Sequence, residues 1–103
     1  MRPNHVNFVE YLLHEGLVFS VLEAIARPHS KPPTGTHIAI ACRTTSVHDN
    51  TKVATAMEGA QQLGLITQVG PRSSNWWRRR WELTAEGRAA FEVAETLRAV
   101  RDA

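Results

Sequence analysis

The side chains of this sequence that could do covalent chemistry or hold a metal are few and badly spaced for it. Cys42 is the only cysteine, and the five histidines include no His-x-x-x-His pair. A structural zinc site needs close-set Cys or His pairs, so zinc is not expected. His37 and Cys42 stand five positions apart and would not share a helix face. Cys42 ends the apolar run HIAIAC and reads as a small core residue, not a nucleophile. No glycine-rich phosphate loop is present. No enzymatic activity, metal or cofactor is expected.

Charge is the more informative feature. The net charge is only +2, but it is unevenly placed. Residues 43–81 carry Arg43, Lys52, Arg72, Arg78, Arg79 and Arg80 against Asp49 and Glu58, a net of +4. Residues 1–42 balance to zero, and residues 82–103 come to −2. A local basic patch is the footprint of a polyanionic partner, with a solvated basic strand as the plainer reading. Trp76 and Trp77 adjoin the arginines. They either pack across a hairpin or form an exposed pair that stacks on a base or anchors a partner protein.

These residues need elements to carry them. Val53, Met57, Ala60 and Leu63 recur at helical spacing, which predicts a helix over 50–63. Asp49 or Asn50 is its natural N-cap and Gly64 its stop. Its other face shows Asn50, Thr51, Lys52, Thr55 and Gln62, polar and mostly short, as a helix entering a major groove about 12 Å wide requires. The period then changes. Leu65–Val69 reads as a strand, Gly70-Pro71 as a turn entry, Arg72–Asn75 as a polar tip and Trp77–Leu83 as a returning strand. Alternation along that strand puts Trp77, Arg79, Trp81 and Leu83 on one face and Trp76, Arg78, Arg80 and Glu82 on the other. Thr84 caps a last helix over 85–101, with Ala90, Phe91, Ala94, Leu97 and Val100 on one side.

Upstream, Asn4 caps a helix from His5 to about Glu15, with Val6, Val9, Leu12 and Leu13 on one side. Gly16 interrupts it, and Leu17–Arg27 continues with the stripe Val18, Val21, Leu22 and Ile25, so that 5–27 is a helical N-terminal part. PHSKPPTGT, residues 28–36, reads as a loop. Thr36 caps a short helix over 37–43 with Ile38, Ala39, Ala41 and Cys42 mostly inward, a buried strand being the alternative.

In this order the pieces resemble the winged helix-turn-helix DNA-binding family, most closely its MarR-like and PadR-like regulators. Leu63-Gly64-Leu65-Ile66 and Leu83-Thr84-Ala85-Glu86-Gly87-Arg88 carry the resemblance. It implies a mainly α fold with a two-stranded β-wing (α+β), here as a single domain over 1–103 with an extra N-terminal helix and a long C-terminal helix. It also implies a recognition helix at 50–63, a wing hairpin at 65–83 and double-stranded DNA as partner. The segment Thr44–Asn50 is longer and more polar than the turn many relatives have there. On this reading Lys52 and Thr55 contact DNA directly. Asn50 and Thr51 could reach base edges or phosphates through the helix N-terminus, although Asn50 reads better as a cap and Thr51 reads also as a solvated residue. Arg78 and Arg80 face outward to phosphates, Arg72 enters a minor groove, and Asn75 lies beside it at the tip.

The N-terminal helix and the far end of the C-terminal helix leave two apolar stripes with little core to cover. They imply a homodimer, or else pack on each other within one chain. The function expected is sequence-specific DNA binding by a dimeric transcriptional regulator. The alternative is a protein-interaction module that grips its partner through Trp76 and Trp77. No stretch reads as a signal peptide or a membrane span, and the lone cysteine suits a cytoplasmic protein.

Overall fold

The computed structural model describes residues 5–42 and 49–102. Among them the chain is mainly helical with one small antiparallel sheet, an α+β arrangement. Helices α1 (His5–His14), α2 (Gly16–Ala26), α3 (Gly35–Ala41) and α4 (Asp49–Gln62) are followed by strand β1 (Ile66–Val69). A 3-10 turn (Trp76–Arg78), strand β2 (Arg80–Leu83) and helix α5 (Ala85–Asp102) complete the chain.

The core is built around α2, which touches α1, α3, α4, α5 and β2. Its expected stripe of Val18, Val21, Leu22 and Ile25 is wholly buried, and Phe19 and Ala24 join it. α1 and α2 are separated at Glu15 (φ −101°, ψ 80°) rather than at Gly16, which begins α2. Hydrogen bonding runs on through the break, with Glu15 N donating to Tyr11 O and Phe19 N to Glu15 O. The two helices therefore form one kinked arm. Asn4 lies outside the described residues, as does the Thr44–His48 part of the segment before α4.

α3 settles the choice in favour of a helix, which starts two residues early at Gly35 and ends at Ala41, Arg43 lying outside the described residues. Thr34, in extended conformation, is the cap and accepts a hydrogen bond from His37 N, displacing the expected Thr36. Ile38 and Ala39 are buried, while Ile40 is exposed. α4 begins at Asp49, so Asp49 and Asn50 lie inside the helix, and the position before it lies outside the described residues. Val53, Met57 and Ala60 face the core as their spacing requires. Gly64 (φ +78°) ends the helix, with Leu65 N donating to Ala60 O in the manner of a Schellman turn.

β1 and β2 pair in the register Ile66↔Leu83, Thr67↔Glu82, Gln68↔Trp81 and Val69↔Arg80. The returning strand is shorter than Trp77–Leu83, because the 3-10 turn consumes Trp76–Arg78 and cancels the expected alternation there. The loop ahead of α3 supplies a further edge. Trp81 N donates to Pro33 O, Gly35 N donates to Arg79 O, and Thr34 bridges Arg80. Pro33 can serve there because only its carbonyl is used.

α5 is capped as expected by Thr84, whose Oγ1 accepts from Gly87 N at 2.9 Å. The same hydroxyl donates to Gly64 O at 2.6 Å, so one side chain joins the end of α4 to the start of α5. Thr84→Ala should therefore cost about 1–2 kcal/mol, and Thr84→Ser clearly less, in urea unfolding. Equal midpoints for all three proteins would deny the hydroxyl this role.

α1 lies along α5 in the broadest contact between two elements. Phe8, Val9 and Leu12 are buried, Phe91 stacks near Phe19 at 5.2 Å, and Arg98 lies over the Phe19 ring at 4.1 Å. Of the expected α1 stripe, Val9 and Leu12 are thus covered within the chain, Leu13 is half-buried, and the side chain of Val6 lies outside the described residues. On α5, Ala90, Phe91 and Ala94 are buried, whereas Leu97 and Val100 are 45% and 70% exposed. The inward stripe expected of that helix stops at Ala94, nearly two turns short of Val100. No described helix is long and apolar enough to cross a membrane.

Candidate nucleic-acid interface

The solvent face of α4 follows from its period. Asn50, Thr51, Lys52 and Thr55 are all exposed. At 100° per residue, Thr51, Thr55, Glu58 and Gln62 fall within about 60° of arc, and Lys52 and Asn50 lie about 100° to either side of Thr51. The middle of the face is thus two threonines, a glutamate and a glutamine. Thr55 Oγ1 donates to Thr51 O at 2.9 Å, so its hydroxyl proton is used within the helix.

The hairpin stands beside this face. A cleft of about 530 Å³ is lined by Glu58, Gln61 and Gln62 of α4, Gln68 of β1, and Arg72, Trp76 and Arg79 of the hairpin. Glu58, Gln61, Gln68 and Arg79 are absent from the sequence-derived site. The first two were legible in the register of α4 beyond Thr55. Gln68 and Arg79 become visible only once the hairpin is paired and its tip folded.

The hairpin residues divide into open and engaged ones. Arg72 and Arg78 are exposed. Asn75 is also exposed, but its Oδ1 accepts from Trp77 N at 3.0 Å and caps the 3-10 turn. Arg79 is half-buried and donates through Nε to Ser73 O at 3.0 Å. Arg80, expected to face outward to phosphates, is engaged within the chain. It is half-buried, and its Nη1 donates to Pro32 O, so its guanidinium ties the hairpin to the proline loop. Along β2 Trp81 is buried between Arg80 and Glu82 as alternation requires, and it is the proline loop laid against this edge that engages Arg80.

Trp76 and Trp77 pack, though not across the hairpin. They meet edge to face at 4.8 Å and 86°, Trp76 lies 5.7 Å from Trp81, and both are half-buried. The floor under them is Gly35, where an added Cβ would stand 3.1 Å from the Trp77 ring and 3.3 Å from that of Trp76. The pair thus fixes the hairpin to the first turn of α3, which reduces the aromatic surface left for a partner.

Cys42 is half-buried, and burial is the main cause that pushes its thiol up to about 11, with Glu23 adding to the shift and Arg27 opposing it. At pH 8 only about one thiol in a thousand would then be thiolate. Alkylation of the folded protein at that pH should be far slower than of the urea-unfolded chain, and equal rates would show an accessible, unshifted thiol. Among the described residues no group of three or more His, Cys, Asp or Glu is placed to hold a metal ion.

No family model matches the chain, and no curated protein matches it either.

Proposed function

We propose that the chain is a winged-helix protein of MarR-like or PadR-like type that binds double-stranded DNA and regulates transcription as a dimer. One observation carries this reading: Glu58, Gln61 and Gln62 of the later turns of α4 and Arg72 and Arg79 of the hairpin open onto the same cleft, so one ligand could touch both elements. α4 would enter the major groove, Lys52 and Arg78 would meet phosphates, and Arg72 would reach the adjacent backbone or minor groove. Dimerisation would use the exposed Val93, Leu97 and Val100 of α5, which recur at helical spacing. Two copies would then read half-sites about 34–36 Å apart.

The alternative, a protein-binding module anchored by Trp76 and Trp77, has less support, because both rings are partly consumed against Gly35. Titration of a random duplex at two salt concentrations tests the proposal. Binding that weakens steeply with salt supports it, and no binding at low salt removes it. Light scattering on a sizing column, with Leu97→Glu beside the native chain, tests the dimer.

A further inference from the structure

The centre line of the α4 face carries a single carboxylate, Glu58. On a surface meant only to grip phosphates a carboxylate is a cost, since it repels every backbone position alike. Glu58 is exposed and makes no ion pair with a described residue, although Arg72 and Arg79 line the same cleft. Arg79 donates through Nε to Ser73 O. The negative charge of Glu58 is therefore available to a ligand.

In the major groove a carboxylate can only accept. Cytosine offers the N4 amino group with no acceptor edge of its own there, whereas adenine sets its N6 amino group beside the N7 acceptor, which repels a carboxylate. Guanine and thymine present acceptors, and thymine adds a methyl group. Thr55, one turn before Glu58, has its hydroxyl proton committed to Thr51 O and so presents a methyl group and lone pairs instead of a donor.

We propose that Glu58 is the base-selecting residue of α4, its carboxylate taking the exocyclic amino group of cytosine in the major groove; the inference rests on the duplex-DNA reading above. Lys52, on the flank of the face, supplies attraction common to all sequences. Glu58 converts part of that attraction into choice, because any site lacking the amino group meets an unpaired negative charge.

The test is selection of bound duplexes from a random pool by the full chain, its Glu58→Gln variant and its Glu58→Ala variant. Circular dichroism confirms that the folds match. The native chain should select a fixed C·G pair. Glu58→Gln should move that position toward adenine, which a carboxamide pairs through N6 and N7, and should bind the native site on the order of tenfold more weakly. Both variants should bind random duplex more tightly than the native chain. If all three proteins select the same sequence with equal affinities, Glu58 does not read a base, while duplex binding itself stands. If the native chain binds no duplex at low salt, the DNA reading fails and this inference with it.

Discussion

Gly87→Ala should unfold the chain at temperatures the native protein withstands. Gly87 lies in the first turn of α5 and is fully enclosed, because the backbone of β1's approach runs across it. A Cβ there would stand 1.9 Å from Leu65 O and 2.7 Å from the Leu65 carbonyl carbon. These are main-chain atoms and cannot rotate aside. Leu65 O is also held, accepting from Thr84 N at 3.0 Å. Relief requires α5 to move off the end of α4, which would break the Thr84 link to Gly64. The cost should reach about 3 kcal/mol or more, at the upper end of overpacking effects. For a chain of this size that lowers Tm by roughly 12 °C or more. Gly16→Ala is the matched control, since nothing lies within 4 Å of its added Cβ. It should leave Tm unchanged or raise it slightly. If the two variants melted together, α5 would not dock on Leu65 as described.

The second large effect concerns charge on the hairpin. Arg72→Glu with Arg78→Glu should reduce duplex affinity by on the order of a hundredfold or more at low salt, because two phosphate attractions become repulsions. The milder pair Arg72→Ala and Arg78→Ala should flatten the slope of log affinity against log salt by about one for each arginine removed. Both side chains are exposed, so stability should hardly change. Arg80→Ala offers the contrast. Its guanidinium is tied to Pro32 O, so its replacement should lower stability and affect the salt slope little. A salt slope that responds to Arg80 and ignores Arg72 and Arg78 would reverse the assignment of open and engaged arginines.

These cases also show which features were legible in the sequence. The stripes of α2 and α4 were, because a 3.6-residue period names the buried positions whatever the neighbours are. The Thr84 cap and the Gly64 stop were legible for a similar reason: each is a local device whose residue type is its signal. The tip of the hairpin was not. Asn75 caps a 3-10 turn, and Trp76 and Trp77 turn onto Gly35, a residue forty positions or so away in the chain. Strand alternation could not foresee an arrangement made by tertiary packing, and with it the engagement of Arg80 by the proline loop stayed hidden. The early start of α3 was hidden likewise, since Thr34 and Thr36 are equally good caps by type. Thr34 holds the position because it also bridges Arg80. The covering of α1 by α5 depended on how two helices far apart in sequence come together, which their stripes alone left undecided.

If α4 and the hairpin present one surface to a duplex, both should respond to it together. Backbone amide shifts of the isotope-labelled chain, followed while a short duplex is added at low salt, test it most directly. The perturbed amides should gather on Thr51–Gln62 and on Arg72–Arg79, with α1 and the buried side of α2 unmoved. Perturbations confined to α5, or no change at all, would contradict it.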